Sequence, residues 1–128
     1  MQIRFIVVDD AAFIRELIKN IAGARGAILV GEASDGLEAV ELAERTLPDL
    51  IFMDIVMPGQ NGFETAKKLK AGLPDVKIIG CSTLDGPEII AQAKASGLDS
   101  YLTKPFTKQQ IIFELENLFP QMSEAINE

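Results

Sequence analysis

The side chains best suited to chemistry in this sequence follow four short apolar runs. They are the acidic pair Asp9-Asp10, the acid Asp54, the hydroxyl pair Ser82-Thr83 and the segment Thr103-Lys104-Pro105. The chain has no histidine, which excludes Ser-His-Asp and Cys-His catalysis and every metal site that depends on imidazole. Chemistry must therefore use carboxylates, hydroxyls, lysine and backbone groups. If a phosphohistidine takes part, it belongs to another protein.

Three carboxylates held close together repel one another, so a bound cation or raised pKa values must relieve the repulsion. Oxygen ligands without histidine or cysteine select a hard cation, Mg²⁺ or alternatively Mn²⁺. One carboxylate can then attack phosphorus and form an acyl phosphate, while an ammonium and a hydroxyl bind the phosphoryl oxygens. The alternative is that the acids only cap helices or lie in loops. This alternative suits Asp10 alone, but it does not explain three acids and Lys104 together at strand ends.

The elements that must position these side chains alternate between strands and helices. Five short, β-rich apolar runs without polar alternation predict strands buried on both faces. They span residues 3–8, 27–30, 50–53, 76–81 and 100–102. Five further stretches repeat apolar residues every three or four positions, which predicts amphipathic helices. Their apolar stripes begin at Phe13, Leu37, Phe63, Ile89 and Ile111.

The expected fold class is α/β, a doubly wound parallel sheet of five strands with five helices, because strand–helix alternation implies right-handed crossovers. Ligands of such sheets gather at the carboxyl ends of the strands, where the acids, hydroxyls and Lys104 lie. Pro87 fits a first helical turn, and Pro120 is expected to end the last helix. Capping boxes are predicted for Asp35 with Glu38, Asn61 with Glu64 and Thr107 with Gln110.

Length and composition predict one domain. The chain has 128 residues, 48% of them apolar, and we expect a domain over residues 1–120 followed by a short polar C-terminal tail over 121–128. The net charge of −7 argues against direct nucleic-acid binding. No apolar run approaches 18 residues and the N-terminus has no signal-peptide layout, so membrane insertion is not expected. The single cysteine, Cys81, suits a reducing cytoplasm.

The strand-end residues and their neighbours resemble the response-regulator receiver domains, and among them the single-domain chemotaxis regulators of the CheY type. The resemblance covers residues 3 to about 119, and its spacing agrees, with 28 positions from Asp54 to Ser82 and 22 from Ser82 to Lys104. The segments that carry it are Val7-Val8-Asp9-Asp10, Met53-Asp54-Ile55-Val56-Met57-Pro58 with Gly62, Ser82, and Tyr101-Leu102-Thr103-Lys104-Pro105-Phe106.

The resemblance implies a flavodoxin-like sheet of strand order 2-1-3-4-5. It also implies that a sensor histidine kinase phosphorylates Asp54 in a Mg²⁺-dependent reaction. The implied Mg²⁺ ligands are Asp9, Asp10, Asp54 and the backbone carbonyl of Val56. The domain would catalyse its own phosphorylation and slow dephosphorylation without a turnover substrate, and it would not be an enzyme in the usual sense.

The remaining implied roles concern signal output. Ser82 and Lys104 would bind the phosphoryl oxygens, the Lys104-Pro105 peptide would be cis, and Tyr101 would be the rotating switch aromatic. Output would follow from phosphorylation-dependent binding, by the surface of the fourth helix, fifth strand and fifth helix, of a flagellar motor switch or another target protein. A phosphatase is a further expected partner.

Three positions depart from the family pattern. Thr83 stands where the family usually has Ala or Gly, which leaves open whether Ser82 or Thr83 supplies the hydroxyl. Val56 and Leu84 stand where many relatives carry polar side chains that affect dephosphorylation. The alternatives are a phosphatase with Asp54 as transient nucleophile, a phosphorylation-independent binding module, and a receiver cut from a larger regulator. The phosphatase is disfavoured, because the second acid expected two positions after Asp54 is Val56.

Overall fold

A computed structural model describes residues 2–122 and shows the strands of one main sheet alternating with helices, with a short two-stranded hairpin before the third helix. We number the strands of the main sheet and the helices in chain order. The strands are β1 Arg4–Val8, β2 Ile28–Ala33, β3 Leu50–Asp54, β4 Lys77–Ser82 and β5 Ser100–Thr103. The helices are α1 Ala12–Ala24, α2 Gly36–Thr46, α3 Gly62–Gly72, α4 Pro87–Ala95 and α5 Lys108–Leu118.

The main sheet is parallel throughout and has the order β2-β1-β3-β4-β5. This confirms the predicted flavodoxin-like, doubly wound fold. All five strands point the same way, so their carboxyl ends meet at one edge of the sheet. No helix within residues 2–122 is long and apolar enough to cross a bilayer.

The sheet separates two apolar cores, because successive side chains of a strand point to opposite faces. Ile6 and Ile51 face one core, which α2, α3 and α4 cover. Phe5 and Phe52 face the other core, which α1 and α5 cover, and their rings meet edge to face with centroids 6.0 Å apart. The three central strands are thus buried on both faces, as predicted.

The prediction of burial on both faces is wrong for β2. Ile28 and Leu29 are 39% and 37% exposed, because β2 is an edge strand and pairs only with β1. The strand also runs past the predicted end at residue 30 and includes Glu32. A charged side chain is tolerated there because the edge position leaves it partly open to solvent.

Two of the predicted apolar stripes do not bury their first residue. Phe13 is 73% exposed and Leu37 is 67% exposed, although Phe63 at the start of α3 is buried. Phe13 and Leu37 each lie in the first turn of their helix, beside the loop that leads out of a strand. Periodicity identifies the helices correctly, but it does not show how far each helix extends beyond the sheet on which it packs.

Of the three predicted capping boxes, only that of Thr107 with Gln110 is complete. Asp35 accepts a hydrogen bond from the Glu38 N–H, but the Glu38 carboxylate accepts from the Ser34 hydroxyl, so this box is only half formed. Pro87 opens α4, as predicted. The helix α5 ends at Leu118, before Pro120. At α3 the predicted capping box is wrong, because Asn61 accepts from the Phe63 N–H, whereas the carboxylate of Glu64 pairs with Lys67.

The predicted tail over residues 121–128 lies mostly outside the described residues, which end at Met122. Met122 itself is 4% exposed and packs in the core beneath α1 and α5. This part of the segment therefore belongs to the packed domain.

Candidate functional site

Asp9, Asp10 and Asp54 lie together at the carboxyl edge of the sheet, as the strand pattern predicts. Asp54 is the last residue of β3, and Asp9 and Asp10 directly follow β1, the neighbouring strand. One carboxylate oxygen from each residue lies within 4.8 Å of the others. Asp9 and Asp54 are 1% and 4% exposed, whereas Asp10 is open to solvent. The cluster is therefore a half-covered acidic pocket with one exposed side.

Lys104 reaches this pocket from the end of β5. Its Nζ lies 2.9 Å from Asp9 Oδ2 and 3.6 Å from Asp54 Oδ1. The Lys104 N–H donates to the Ser82 carbonyl, which continues the pairing of β4 with β5 for one more residue. The Lys104-Pro105 peptide is cis, as expected. One ammonium thus contacts two of the three carboxylates.

The surroundings of Asp54 make it harder to ionise than an ordinary aspartate. Burial, reinforced by the charge of Asp9, raises the pKa of Asp54 to about 6, although Lys104 and the Val56 N–H oppose the shift. For Lys104, burial lowers the pKa, but the hydrogen bond to Asp9 and the charge of Asp54 outweigh it, and the net pKa is raised. The pocket therefore carries more negative charge than its own lysine neutralises.

The donor set fits a hard divalent cation. All three side chains offer carboxylate oxygens, close enough to share one ion, and neither histidine nor cysteine enters the cluster. Mg²⁺ and Mn²⁺ prefer such oxygen ligands. Burial and then the charge of Asp9 raise the pKa of Asp54, and a bound cation would oppose both effects by favouring the ionised carboxylate.

A short hairpin follows β3 and forms one wall of the pocket. Val56–Met57 pairs with Gln60–Asn61, and Gly59 between them has a φ of 69°, a left-handed conformation that favours glycine. The Val56 N–H donates to Asp54 Oδ1 at 3.2 Å, while the Val56 side chain is 54% exposed. This hydrogen bond orients the Asp54 carboxylate.

Gly62 lets α3 begin directly beneath the Asp54 loop. Its N–H donates to the Ile55 carbonyl at 2.9 Å, and a Cβ at this position would lie 2.4 Å from the Ile55 Cα. Backbone cannot yield as a flexible side chain does, so any larger residue would displace the loop that follows Asp54.

Ser82, rather than Thr83, is the buried hydroxyl at the end of β4. Ser82 is 1% exposed and its Oγ accepts a hydrogen bond from the Leu84 N–H at 3.1 Å, whereas the Thr83 side chain faces solvent. Tyr101 of β5 donates its hydroxyl proton to the Leu84 carbonyl at 2.7 Å. The backbone of Leu84 therefore bridges the predicted switch residues, a link that sequence reasoning missed because it passes through main-chain atoms.

Sequence reasoning also missed Arg15 of α1. Its guanidinium donates from Nη1 to the Asp9 carbonyl at 2.7 Å and from Nε to Glu32 Oε1 at 3.0 Å. The available signal was weak: a basic residue follows the acidic pair by one and a half helical turns. Helix periodicity alone does not indicate that its side chain turns back toward the strand.

Comparison with known proteins agrees with this geometry. Residues 5–116 match the family described as the response regulator receiver domain. The chain belongs to this family. It is 36% identical over 115 residues to the chemotaxis protein CheY of Thermotoga maritima, a match that covers 90% of this chain and 96% of that protein. Receiver domains act in two-component systems, and as a family they are phosphorylated and bind Mg²⁺ at an acidic pocket.

Solved structures give the same result for the receiver fold. The chemotaxis protein CheY4 of Vibrio cholerae superposes with a TM-score of 0.85 at 27% identity, over 93% of this chain and all of that one. The structure of the CheX-CheY-BeF3-Mg²⁺ complex from Borrelia burgdorferi superposes with a TM-score of 0.87 at 21% identity, over 91% of this chain and 89% of that one. The second likeness shows the fold alone.

Proposed function

We propose that this receiver domain is a phosphorylation switch in which Asp54 accepts a phosphoryl group from a sensor histidine kinase. The observation that carries the proposal is a buried carboxylate, Asp54, held within reach of two further acids and of Lys104. The proposed ligands of Mg²⁺, or alternatively of Mn²⁺, are Asp9, Asp10, Asp54 and the Val56 backbone carbonyl. When bound, the cation would neutralise the acidic pocket so that a dianionic phosphoryl group can approach it.

The chain's own residues supply the remaining chemistry. An oxygen of ionised Asp54 forms the new bond to phosphorus while the phosphorus–nitrogen bond of the donor breaks, and the imidazole of the kinase keeps that electron pair. The Val56 N–H donates a hydrogen bond to the Asp54 carboxylate and so orients it for the attack. Lys104, which pairs with Asp9 in the resting protein, then turns to the incoming phosphoryl oxygens. The domain turns over no separate substrate.

The proposed output involves a cytoplasmic partner that distinguishes the two states. Phe113 on α5 and Ile90 on α4 are 62% and 38% exposed on either side of Tyr101, so this face offers apolar contacts for a target protein. The match over almost the whole length of a chemotaxis protein CheY supports a role in chemotaxis with a flagellar motor switch as target. A phosphatase is a further proposed partner.

Mass spectrometry after incubation with acetyl phosphate tests the proposal. We expect one added phosphoryl group in the presence of Mg²⁺ and none in excess EDTA, because the uncompensated acids repel the dianionic donor. Equal labelling with and without the chelator would contradict the proposed role of the acidic pocket.

We predict that Ser82→Ala accepts phosphate normally but does not transmit the signal. The Ser82 hydroxyl is bound to Leu84, whose carbonyl holds Tyr101, so movement of the hydroxyl toward the phosphoryl group would alter the Tyr101 environment. The protein has one tyrosine and no tryptophan, so its intrinsic fluorescence reports Tyr101 alone. Phosphorylation should change this fluorescence in wild type and leave it constant in Ser82→Ala.

Thr83→Ala is the matched control for that measurement, since it removes an exposed hydroxyl from the adjacent position. It should retain the fluorescence change. If Thr83→Ala loses the change and Ser82→Ala keeps it, the switch hydroxyl belongs to Thr83.

The phosphorylated state is predicted to decay slowly. Hydrolysis needs a water aligned with phosphorus, and polar side chains would help to orient it, but Val56 and Leu84 present only methyl groups beside the pocket. Val56→Asn combined with Leu84→Glu should shorten the lifetime severalfold, a change of about 1 kcal/mol in the barrier. The measurement is the loss of phospho-Asp54 after the donor is removed, at fixed Mg²⁺.

Leu47→Glu provides a control for added charge, because Leu47 is 60% exposed and follows α2, directly before the loop into β3 at the opposite edge of the sheet. Its lifetime should equal that of wild type. An unchanged lifetime in the Val56/Leu84 double variant would show that these side chains do not limit water access.

A further inference from the structure

Asp9, the first residue of the acidic pair, makes an unusually complete set of hydrogen bonds. The Asp9 N–H donates to the Ala33 carbonyl of β2 at 3.1 Å. Its carboxylate accepts from the Ala11 N–H and from Lys104, each at 2.9 Å. The Asp9 carbonyl accepts from Arg15 Nη1 at 2.7 Å. Hydrogen bonds thus hold the main chain and the side chain of Asp9.

Asp10 differs from its two partners in the cluster. Asp9 and Asp54 are buried, so packing restricts their carboxylates, but Asp10 is open to solvent. Its position therefore depends on the backbone that leads to it. The Asp9 carbonyl belongs to the planar peptide that joins Asp9 to Asp10. A donor that fixes this carbonyl therefore also fixes the peptide plane from which Asp10 projects.

We propose that Arg15 is a positioning residue for the cation site, because it locks the Asp9–Asp10 peptide against the edge strand β2. This inference rests on the proposed binding of Mg²⁺ at the acidic pocket. The guanidinium suits the task because its planar fork of donors serves two acceptors in fixed directions. One nitrogen binds the Asp9 carbonyl, and another binds Glu32 of β2, 3.0 Å away.

Glu32 is a firm anchor for this contact. It lies within β2 opposite Val7 of β1, so its backbone is part of the sheet. Its second oxygen accepts from Lys19 Nζ at 3.0 Å, and its side chain is 33% exposed. Lys19 also pairs with Glu16 on the same helix. Glu32, fixed by its backbone in β2, therefore provides the second contact of Arg15, whereas Lys19 contacts neither Arg15 nor the acidic loop.

The positioning role and a simple charge effect predict opposite results. A positive charge near a cation site repels the cation, so removing Arg15 should tighten binding if only its charge matters. If Arg15 holds the Asp9–Asp10 peptide in place, removing it lets Asp10 move and weakens binding. Loss of a contact that orients a metal ligand typically lowers affinity about 10- to 100-fold. The sign of the change therefore separates the two roles.

The experiment is calorimetric titration of the full chain with Mg²⁺ alone, comparing wild type with Arg15→Met, Arg15→Lys and Lys19→Met. We expect Arg15→Met to bind about tenfold more weakly than wild type. Arg15→Lys should fall between them, because one ammonium lacks the planar fork. Lys19→Met, the matched control, removes a charge from the same network and should bind as wild type does or slightly more tightly.

Several outcomes overturn the inference. If Arg15→Met binds Mg²⁺ as tightly as wild type, or more tightly, Arg15 is not a positioning residue. The same conclusion follows if Lys19→Met weakens Mg²⁺ binding as much as Arg15→Met does. If Arg15→Met does not fold, the comparison between Arg15→Lys and Lys19→Met decides, and equal affinities contradict the inference. Wild type that binds no Mg²⁺ refutes the proposed function together with this inference, so the two failures are distinguishable.

Discussion

Asp54→Asn is expected to abolish phosphorylation by acetyl phosphate completely. An amide oxygen is a poor nucleophile and an amide cannot form an acyl phosphate, whereas the remaining geometry tolerates the change because Asn is isosteric with Asp. Its side-chain oxygen can still accept from the Val56 N–H, as Asp54 Oδ1 does at 3.2 Å. The measurement is the intact mass after incubation with donor and Mg²⁺, in which wild type gains one phosphoryl group and the variant gains none.

Asp85→Asn is the control for this substitution. Asp85 lies in the exposed loop between β4 and α4, near the same edge of the sheet but outside the acidic cluster. It should be labelled like wild type. Substantial labelling of Asp54→Asn would place the acceptor elsewhere and overturn the assignment of Asp54.

Asp54→Asn is also expected to stabilise the metal-free fold at neutral pH. Burial and then the charge of Asp9 raise the pKa of Asp54 from 3.8 to about 6. A pKa difference of about two units corresponds to about 3 kcal/mol. Ionisation of Asp54 in the folded protein therefore lowers the free energy of unfolding by about that amount. The neutral amide carries no such penalty, so at pH 7.5 in EDTA the variant should exceed wild type by up to about 3 kcal/mol.

The pH dependence has a definite sign. The pKa of Asp54 is higher in the folded state than in the unfolded state. Between these two pH values the folded protein therefore binds more protons than the unfolded chain, and its stability falls as the pH rises. The stability that wild type gains by keeping Asp54 protonated is fully present below about pH 4, declines as pH rises toward 6, and is absent above that. The advantage of Asp54→Asn should therefore be small at pH 4 and reach its full size above pH 6.

Urea unfolding in EDTA at several pH values measures this effect, with Asp75→Asn as control. Asp75 is exposed in the loop before β4, far from the acidic cluster, so its substitution should leave the pH profile of wild type unchanged. An advantage of Asp54→Asn that is equally large at pH 4 and pH 7.5 would show that relief of ionisation is not its cause. Added Mg²⁺ should reduce the advantage, because the cation compensates the charge in wild type.

The sequence alone was sufficient to predict the sheet and the residues at its functional edge. Apolar runs too short for helices, separated by periodic stretches, require a parallel α/β sheet. Parallel strands end at a common edge, so the pattern places Asp9, Asp10, Asp54 and Lys104 at that edge. The strand order that brings them together there was implied by the family resemblance and not by the pattern itself, and the structure confirms it.

Tertiary structure decided the features that depend on a residue's neighbours across the fold. Phe13 and Phe63 both begin apolar stripes, yet only Phe63 is buried, because burial depends on where each helix crosses the sheet. Ser82 and Thr83 offer the same hydroxyl, and only the direction of the strand end separates the buried one from the exposed one. A local sequence pattern shows neither where a helix crosses the sheet nor which way a side chain points at the end of a strand.

The electrostatic character of the site likewise came from the structure. Chain order shows three acids and one lysine, but it does not show that Lys104 contacts Asp9 more closely than Asp54. It also does not reveal the bond from Arg15 to the Asp9 carbonyl, since any helix face could have carried that side chain. Interaction energies between charges vary with their separation and burial, and both are fixed only when distant segments pack together.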